Sequence, residues 1–224
     1  MLFRSTDGAP RDGRDAARHG WSTAQYREVR RRERAQTFAR CGIETSRIVD
    51  LDCPDQQAAL RLAPLALEMA MMLDEYRIDA VLTHPYEGGH PDHDATAFVV
   101  HAAARLARHT PAIVEMTSYH NSPHGLVASA FLSDPAVDPH MVTTVLSPRQ
   151  RAFKQSLIGC YASQRDTLRS LPLDVERFRP APRYDFLRAP HEGLLWYEAR
   201  DWGIDGARFR ELAGEALREL EIAA

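Results

Sequence analysis

One short stretch of the chain, THPYEGGHPDHDA at residues 83–95, concentrates side chains that can bind metals and carry protons. Its thirteen residues include three histidines, two aspartates and one glutamate, beside two consecutive glycines. Imidazole and carboxylate groups are the usual ligands of zinc and related ions. A hydrolytic zinc site needs about three protein ligands and an open position for water, whose pKa the metal lowers towards about 7. The stretch therefore favours a metal or catalytic site. The alternative is a purely structural role, in which its aspartates only cap a helix.

The spacing inside this stretch identifies its candidate residues. His90 and His93 lie three positions apart, with the rigid Pro91 and the carboxylate of Asp92 between them. One imidazole can bind a metal, and a second can stabilise an oxyanion or protonate a leaving group. Histidines elsewhere in the chain are more often surface or core residues with a structural role and satisfied hydrogen bonds. We assign six histidines to that class: His101, His109, His120, His124, His140 and His191.

Composition narrows the class of protein. The chain has 224 residues, 44% of them hydrophobic, which suits one compact domain. A net charge of -3 gives no reason to expect nucleic acid or an anionic membrane as a partner. The three cysteines show no metal-binding or disulfide spacing, and no run of about 18 apolar residues or signal-peptide pattern occurs. We predict a cytoplasmic protein that binds neither nucleic acid nor membranes.

Helical patterns alternate with short apolar strands along the chain. We predict strands at 47–53, 79–84, 112–119 and 142–146, and helices at 22–42, 55–77, 94–109, 147–168 and 206–221. This order predicts an α/β fold, a Rossmann-like and mostly parallel sheet with helices on both faces. We predict a single domain over residues 1–224, in which residues 172–224 form an irregular C-terminal wrap and a final helix. The histidine-rich stretch leaves the carboxyl end of a strand, where such sheets place their sites.

The stretch THPYEGGHPDHDA resembles the second signature of the PIG-L/LmbE-like zinc-dependent N-deacetylases. Smaller segments resemble other parts of that family in the same order: STDGAPRD at 5–12, the pair Arg30 and Glu33, the turn with Asp55, and Lys154, Ser163 and Gln164. The resemblance covers about residues 2–198 and implies that family's fold and amide-hydrolase activity.

The resemblance also implies a role for each matching residue. His93 would be a zinc ligand, His90 would stabilise the oxyanion or act as an acid, and Asp92 would hold His90. This agrees with the chemistry of the motif, because a neighbouring carboxylate can keep an imidazole protonated and so suited to an oxyanion. Arg30 and Asp55 would contact the substrate.

Arg30 also has a simpler interpretation. Glu33 follows it by three positions, so the two could form an ion pair on one face of a helix. The sequence leaves the two interpretations open.

The family's first signature, a His-Pro-Asp-Asp run that carries two zinc ligands and the general base, does not occur in these residues. Its place would be upstream of the STDG turn, so the first strand of the fold is expected to be missing. Either the start was assigned too late or trimmed, or the protein is a non-catalytic relative; the intact His90, Asp92 and His93 favour the first. The zinc site of the given chain is expected to be incomplete and its activity weak.

The sequence therefore predicts a metal-dependent hydrolase that removes an N-acetyl or other N-acyl group from an amino sugar or a similar small molecule. One alternative is a non-catalytic module that binds a small molecule. Another is a different metallohydrolase that uses His84 and Glu87 beside His93. A third is a structural subunit that an oligomeric partner, such as a second copy of the chain, would complete.

Overall fold

A computed structural model of the protein describes residues 1–169, 171–200 and 202–223. Seven α-helices are assigned within these residues: α1 (Arg14–Arg18), α2 (Thr23–Arg40), α3 (Leu62–Glu75), α4 (Pro91–Leu106), α5 (Pro148–Ile158), α6 (Arg165–Leu168) and α7 (Gly206–Glu219). Eight strands are assigned: β1 (Leu2–Pro10), β2 (Ile48–Asp55), β3 (Ala80–Thr83), β4 (Ala112–Met116), β5 (Tyr119–Ser122), β6 (Gly125–Ala128), β7 (Val142–Val145) and β8 (Val175–Pro180). The α/β class predicted from the sequence is confirmed.

The chain divides into two compact units. The first unit consists of Met1–Asp55 and Val145–Val175, and the second of Gln56–Thr144 and Glu176–Ala224. The organisation as a single domain stays a prediction.

In the first unit, β1 and β2 pair in parallel, and α1, α2, α5 and α6 belong to the same unit. The turn predicted at residues 5–12 is wrong for most of that stretch, because β1 continues to Pro10 and only residues 11 and 12 form a turn. Its pairing with β2 is irregular at two points, and Gly8 within it has φ +72. Hydrogen bonds to a neighbouring strand therefore outweigh the turn preference of these residues.

The ends of α2 follow local sequence signals. Ser22 is the N-cap, its hydroxyl accepts a hydrogen bond from Gln25 N, and the Gln25 side chain bonds back to the cap. At the other end Gly42 has φ +67, the left-handed conformation that glycine adopts without a steric penalty. Replacing Ser22 with alanine would remove this cap and cost about 1 kcal/mol.

In the second unit, β3 and β4 pair in parallel and β4 pairs with β8 antiparallel. The wrap predicted for residues 172–224 thus contains a strand, which the sequence analysis missed. Arginine and proline discourage a strand prediction, but Arg179 on β8 is 3% exposed and its Nε lies 3.3 Å from the Glu115 carboxylate on β4. Pairing with a buried carboxylate offsets the cost of burying the guanidinium.

The core of the second unit lies between α3 and α4. Both helices are amphipathic, and α3 begins after a short 3-10 turn, so that Pro64 stands in its first turn where no helical N–H is needed. Phe98 and Val99 on α4 are buried, as the three-and-four spacing predicts. Burial of a side chain such as Phe98 contributes about 1.5–3 kcal/mol. This packing fixes the direction of α4, whose first turn carries the candidate residues.

Among the described residues, none of the helices combines the length and the apolar character needed to cross a lipid bilayer.

Candidate functional site

The histidine-rich loop joins β3 to α4 and lies wholly in the second unit. The backbone at both glycines of the loop lies close to neighbouring residues. Gly88 has φ +73, and a Cβ built there would lie 2.6 Å from the Leu195 side chain. A Cβ on Gly89 would lie only 1.9 Å from the carbonyl oxygen of Tyr119. The loop therefore passes so close to its neighbours that only glycine fits at these two positions.

His90 is the N-cap of α4. Its backbone is extended, and its Nδ1 accepts a hydrogen bond of 3.1 Å from Asp92 N. Nδ1 is thus an acceptor, so the neutral ring carries its proton on Nε2. Burial lowers the pKa of His90 to about 4, and the ring is neutral at neutral pH. The protonated His90 expected from the sequence is therefore corrected, because burial decides its protonation state, although Nε2–H remains a donor.

The carboxylate of Asp92 holds the backbone at the start of the second unit. Its two oxygens accept hydrogen bonds from Gln56 N at 2.6 Å and from Ala58 N at 3.1 Å. One carboxylate oxygen also lies within 4.8 Å of a ring nitrogen of His90. The hydrogen bond between the two residues, however, runs from the Asp92 backbone to the imidazole. Asp92 therefore anchors a chain segment, and its predicted role of holding His90 through the carboxylate stays untested.

His93 lies in the first turn of α4 among polar and aromatic neighbours. Its Nδ1 is 3.2 Å from Ser118 Oγ, and its ring meets the Tyr119 ring edge-on at 5.5 Å. Burial, together with the neighbouring imidazoles of His84 and His90, lowers the pKa of His93 well below its ordinary value. In the tautomer whose Nδ1–H donates to Ser118 Oγ, the unprotonated Nε2 is the free ligand atom, which is how metal-binding histidines are usually oriented.

His84 was only an alternative metal ligand in the sequence analysis, and the structure places it directly beside His93. The two rings are stacked, with centroids 4.0 Å apart and planes 2° from parallel. Burial lowers the pKa of His84 to about 4, and its buried Nδ1 has no hydrogen-bond partner. Among the described residues, however, no group that includes His84, Glu87 and His93 brings its ligand atoms within 4.8 Å of one another. This arrangement does not support the alternative metallohydrolase that would use these three ligands.

Two buried carboxyl groups fix the rest of the loop. Asp94 Oδ1 accepts hydrogen bonds from Glu87 N at 3.2 Å and from Gly88 N at 3.1 Å, and burial raises the pKa of Asp94 to about 8. Glu87 Oε2 lies 3.2 Å from Nδ1 of His120 on β5. His120 was assigned to the satisfied residues, and its buried pairing with Glu87 agrees with that assignment.

Three contacts of the candidate site were not foreseen from the sequence. Ser118 and Tyr119 touch His93, and the ring of Trp202 lies 4.7 Å from that of His90. These residues are distant from the loop in sequence. The one local signal is that Ser118 and Tyr119 lie near the carboxyl end of β4, which the sequence analysis extended too far, to residue 119.

The two predicted substrate contacts belong to the first unit. Arg30 donates from Nε to Gly8 O at 3.1 Å, and its Nη1 lies 3.6 Å from Glu33 Oε2. Asp55 accepts a hydrogen bond of 3.3 Å from Thr6 Oγ1. The ion pair between Arg30 and Glu33 that the sequence left open is thus present, and a role in substrate binding stays a prediction for both Arg30 and Asp55.

Comparisons with known proteins agree with the loop motif. Residues 2–104 match the family described as PIG-L, GlcNAc-PI de-N-acetylase. No curated protein matches the chain significantly. The crystal structure of the A40926 pseudoaglycone deacetylase Dbv21 is similar, with a TM-score of 0.59 and 19% identity over 82% of this chain and 85% of that chain. The conserved protein TT1542 from Thermus thermophilus matches with a TM-score of 0.45 and 16% identity over 82% of this chain and 96% of that chain.

The likeness to Dbv21 shows a shared fold. The family match covers β1 to β3, the histidine-rich loop and most of α4. Residues 2–104 are thus similar to the PIG-L family, in agreement with the resemblance carried by the histidine-rich motif.

Proposed function

We propose that this protein hydrolyses an N-acyl group, in particular an acetamide, on an amino sugar or a similar hydroxylated small molecule. The observation that carries the proposal is the oriented imidazole of His93, held through Nδ1 by Ser118 at the start of a helix in the region matched by a de-N-acetylase family. The shared fold with a deacetylase supports the same reaction class.

The imidazoles of the loop are ligands of the type that divalent metals take, although no group of three ligand atoms within 4.8 Å of one another among the described residues includes His93. Burial keeps the imidazoles of His84, His90 and His93 neutral at neutral pH, and only the neutral ring has a lone pair for a metal. We assign the metal to Nε2 of His93, with zinc as the expected ion. When bound there, the metal would supply an acidified water and an electrophile for the amide carbonyl.

The remaining residues of the loop would act on the substrate directly. His90 would donate a hydrogen bond from Nε2 to the oxygen of the amide as negative charge develops on it. The Trp202 ring beside His90 would limit access of water to that hydrogen bond. Asp92 would keep the first turn of α4 in place by holding the amides of Gln56 and Ala58.

The activity of the 224 residues is expected to be low. The family pattern supplies one metal ligand here, His93, and the first signature is absent from the sequence. One oxygen of Glu87 pairs with His120 and one oxygen of Asp94 accepts from Glu87 N, so each of these carboxyl groups already has a contact within the fold. The second candidate is a non-catalytic module that binds an acylated small molecule.

Metal content per chain and acetate release from N-acetylglucosamine derivatives test the proposal together. The wild-type protein is expected to bind zinc weakly and to release acetate slowly, and His93→Ala should lose both. His124→Ala is the matched control, because His124 is an exposed histidine of the same unit, in the turn before β6. Metal-free and inert wild-type protein that still binds the intact acetamide would support the binding module instead. Loss of metal in His124→Ala would contradict the assignment to His93.

A further inference from the structure

Glu87 has a carboxyl group that is buried in the protein interior, where carboxyl groups are rare. Its side chain is 1% exposed, in the middle of the candidate loop. Burial raises its pKa, which expresses the cost of removing the charge from water. Its Oε2 lies 3.2 Å from Nδ1 of His120, which is itself 6% exposed. A buried pair of this kind is costly to break, because the remaining partner is left without its hydrogen bond.

The pair joins the loop to the strand that contacts His93. His120 lies on β5, directly after Tyr119, whose ring packs on His93. Ser118, one position earlier, bonds to Nδ1 of His93. Gly89 in the loop passes against the Tyr119 carbonyl. Residues 118–120 therefore each contact the histidine-rich segment, and the last of these contacts is the Glu87–His120 pair.

We propose that Glu87 and His120 form a clamp that positions His93, by holding residues 84–90 against the start of β5. The clamp rests on the proposed function in so far as His93 is taken as a metal ligand. Without the clamp, Ser118 and Tyr119 lose their fixed distance from α4, and Nε2 of His93 loses its direction. Glu87 and His120 are thus positioning residues for the metal ligand, and neither needs to touch the substrate.

A double-mutant cycle tests the clamp. The variants are Glu87→Ala, His120→Ala and the double variant, and the measured quantity is zinc affinity in competition with a chelating dye. Loss of contacts that orient a metal-binding histidine typically lowers affinity about 10- to 100-fold. We expect each single variant to show a loss in this range. The double variant should show about the same loss as either single one, because both remove one shared interaction.

Two further variants separate the clamp from a general loss of packing. Glu87→Gln keeps a side chain that can either accept from or donate to His120 Nδ1, so it should restore most of the affinity that Glu87→Ala loses. Glu115→Gln is the matched control, because Glu115 is 0% exposed in the same unit and its hydrogen bonds go to Tyr184 and Arg179. It should leave zinc affinity unchanged. Fully multiplicative losses in the cycle, or a Glu87→Gln variant as weak as Glu87→Ala, would overturn the clamp.

Amide hydrogen exchange of residues 84–90 in metal-free protein keeps this test separate from the proposed function. Exchange should be faster in Glu87→Ala and His120→Ala than in the wild type, and close to wild type in Glu87→Gln. If the wild type binds no zinc but shows this exchange pattern, the proposed function fails and the clamp stands. Unchanged exchange in all variants would refute the clamp whatever the zinc affinity.

Discussion

Replacement of Gly89 by alanine should damage the protein far more than one methyl group suggests. The new Cβ would lie 1.9 Å from the Tyr119 carbonyl oxygen and 3.1 Å from Cδ2 of its ring. Ordinary contact begins near 3.4 Å, so the loop or the strand must move by about 1.5 Å. The nearest obstacle is backbone, which cannot rotate away as a side chain would.

The size of the effect follows from this contact. Overpacking costs about 1–3 kcal/mol, and an obstacle made of backbone favours the upper end. In a chain of this size, 1 kcal/mol lowers the melting temperature by about 2–4 °C, so Gly89→Ala should melt about 6–12 °C below the wild type. Because Tyr119 also packs on His93, the variant should bind zinc more weakly as well.

Thermal unfolding followed by circular dichroism measures this effect, with Gly159→Ala as the control. A Cβ on Gly159 would meet its nearest atom, Gln155 O, at 3.4 Å, an ordinary contact distance. That variant should stay within about 0.5 kcal/mol of the wild type. Equal melting temperatures for Gly89→Ala and Gly159→Ala would refute the close approach of the loop to the Tyr119 carbonyl.

Three further predictions concern buried carboxylates, all measured as free energies of unfolding from denaturant titrations. Burial raises the pKa of Glu115 from 4.5 to about 7, so the folded state holds this proton to a higher pH than the unfolded state does. The free energy of unfolding should therefore fall by on the order of 3 kcal/mol as pH rises from 4.5 to 7. An unchanged dependence of this free energy on pH in Glu115→Gln would contradict the prediction. Asp92→Asn should cost about 2 kcal/mol, because an amide oxygen replaces a carboxylate that accepts two backbone N–H groups. Glu33→Ala should cost about 2–4 kcal/mol, since Glu33 accepts from both Ser163 N and Ser163 Oγ; Ser163→Ala, which removes one of these bonds, should cost less.

Local signals explain the parts of the fold that the sequence predicts well. Ser22 and Ser147 mark the starts of α2 and α5, and both form the reciprocal cap in which the third helical residue bonds back. The loop motif likewise lies between a strand and a helix, as predicted. Each of these signals depends on residues within a few positions of one another.

Features that depend on distant partners were missed. The arginines and prolines around β8 predict an irregular segment, and Arg179 is acceptable in the strand because the carboxylates of Glu115 and Asp138 pair with its guanidinium. Similarly, His90 was expected to be protonated because Asp92 is near in sequence, whereas burial by the surrounding fold keeps it neutral. The contact of Ser118 with His93 could not be predicted, since no periodicity links the two positions.

The N-cap position of α4 has a consequence for how this motif can evolve or be engineered. Asparagine and aspartate are preferred caps, so selection for stability alone would not retain His90 there. If His90 acts on the substrate as proposed, a histidine at this position exchanges helix stability for chemistry, as expected where activity and stability compete. His90→Asn would then give a protein that folds at least as well as the parent but lacks the imidazole, a useful inert scaffold for capturing an uncleaved acetamide.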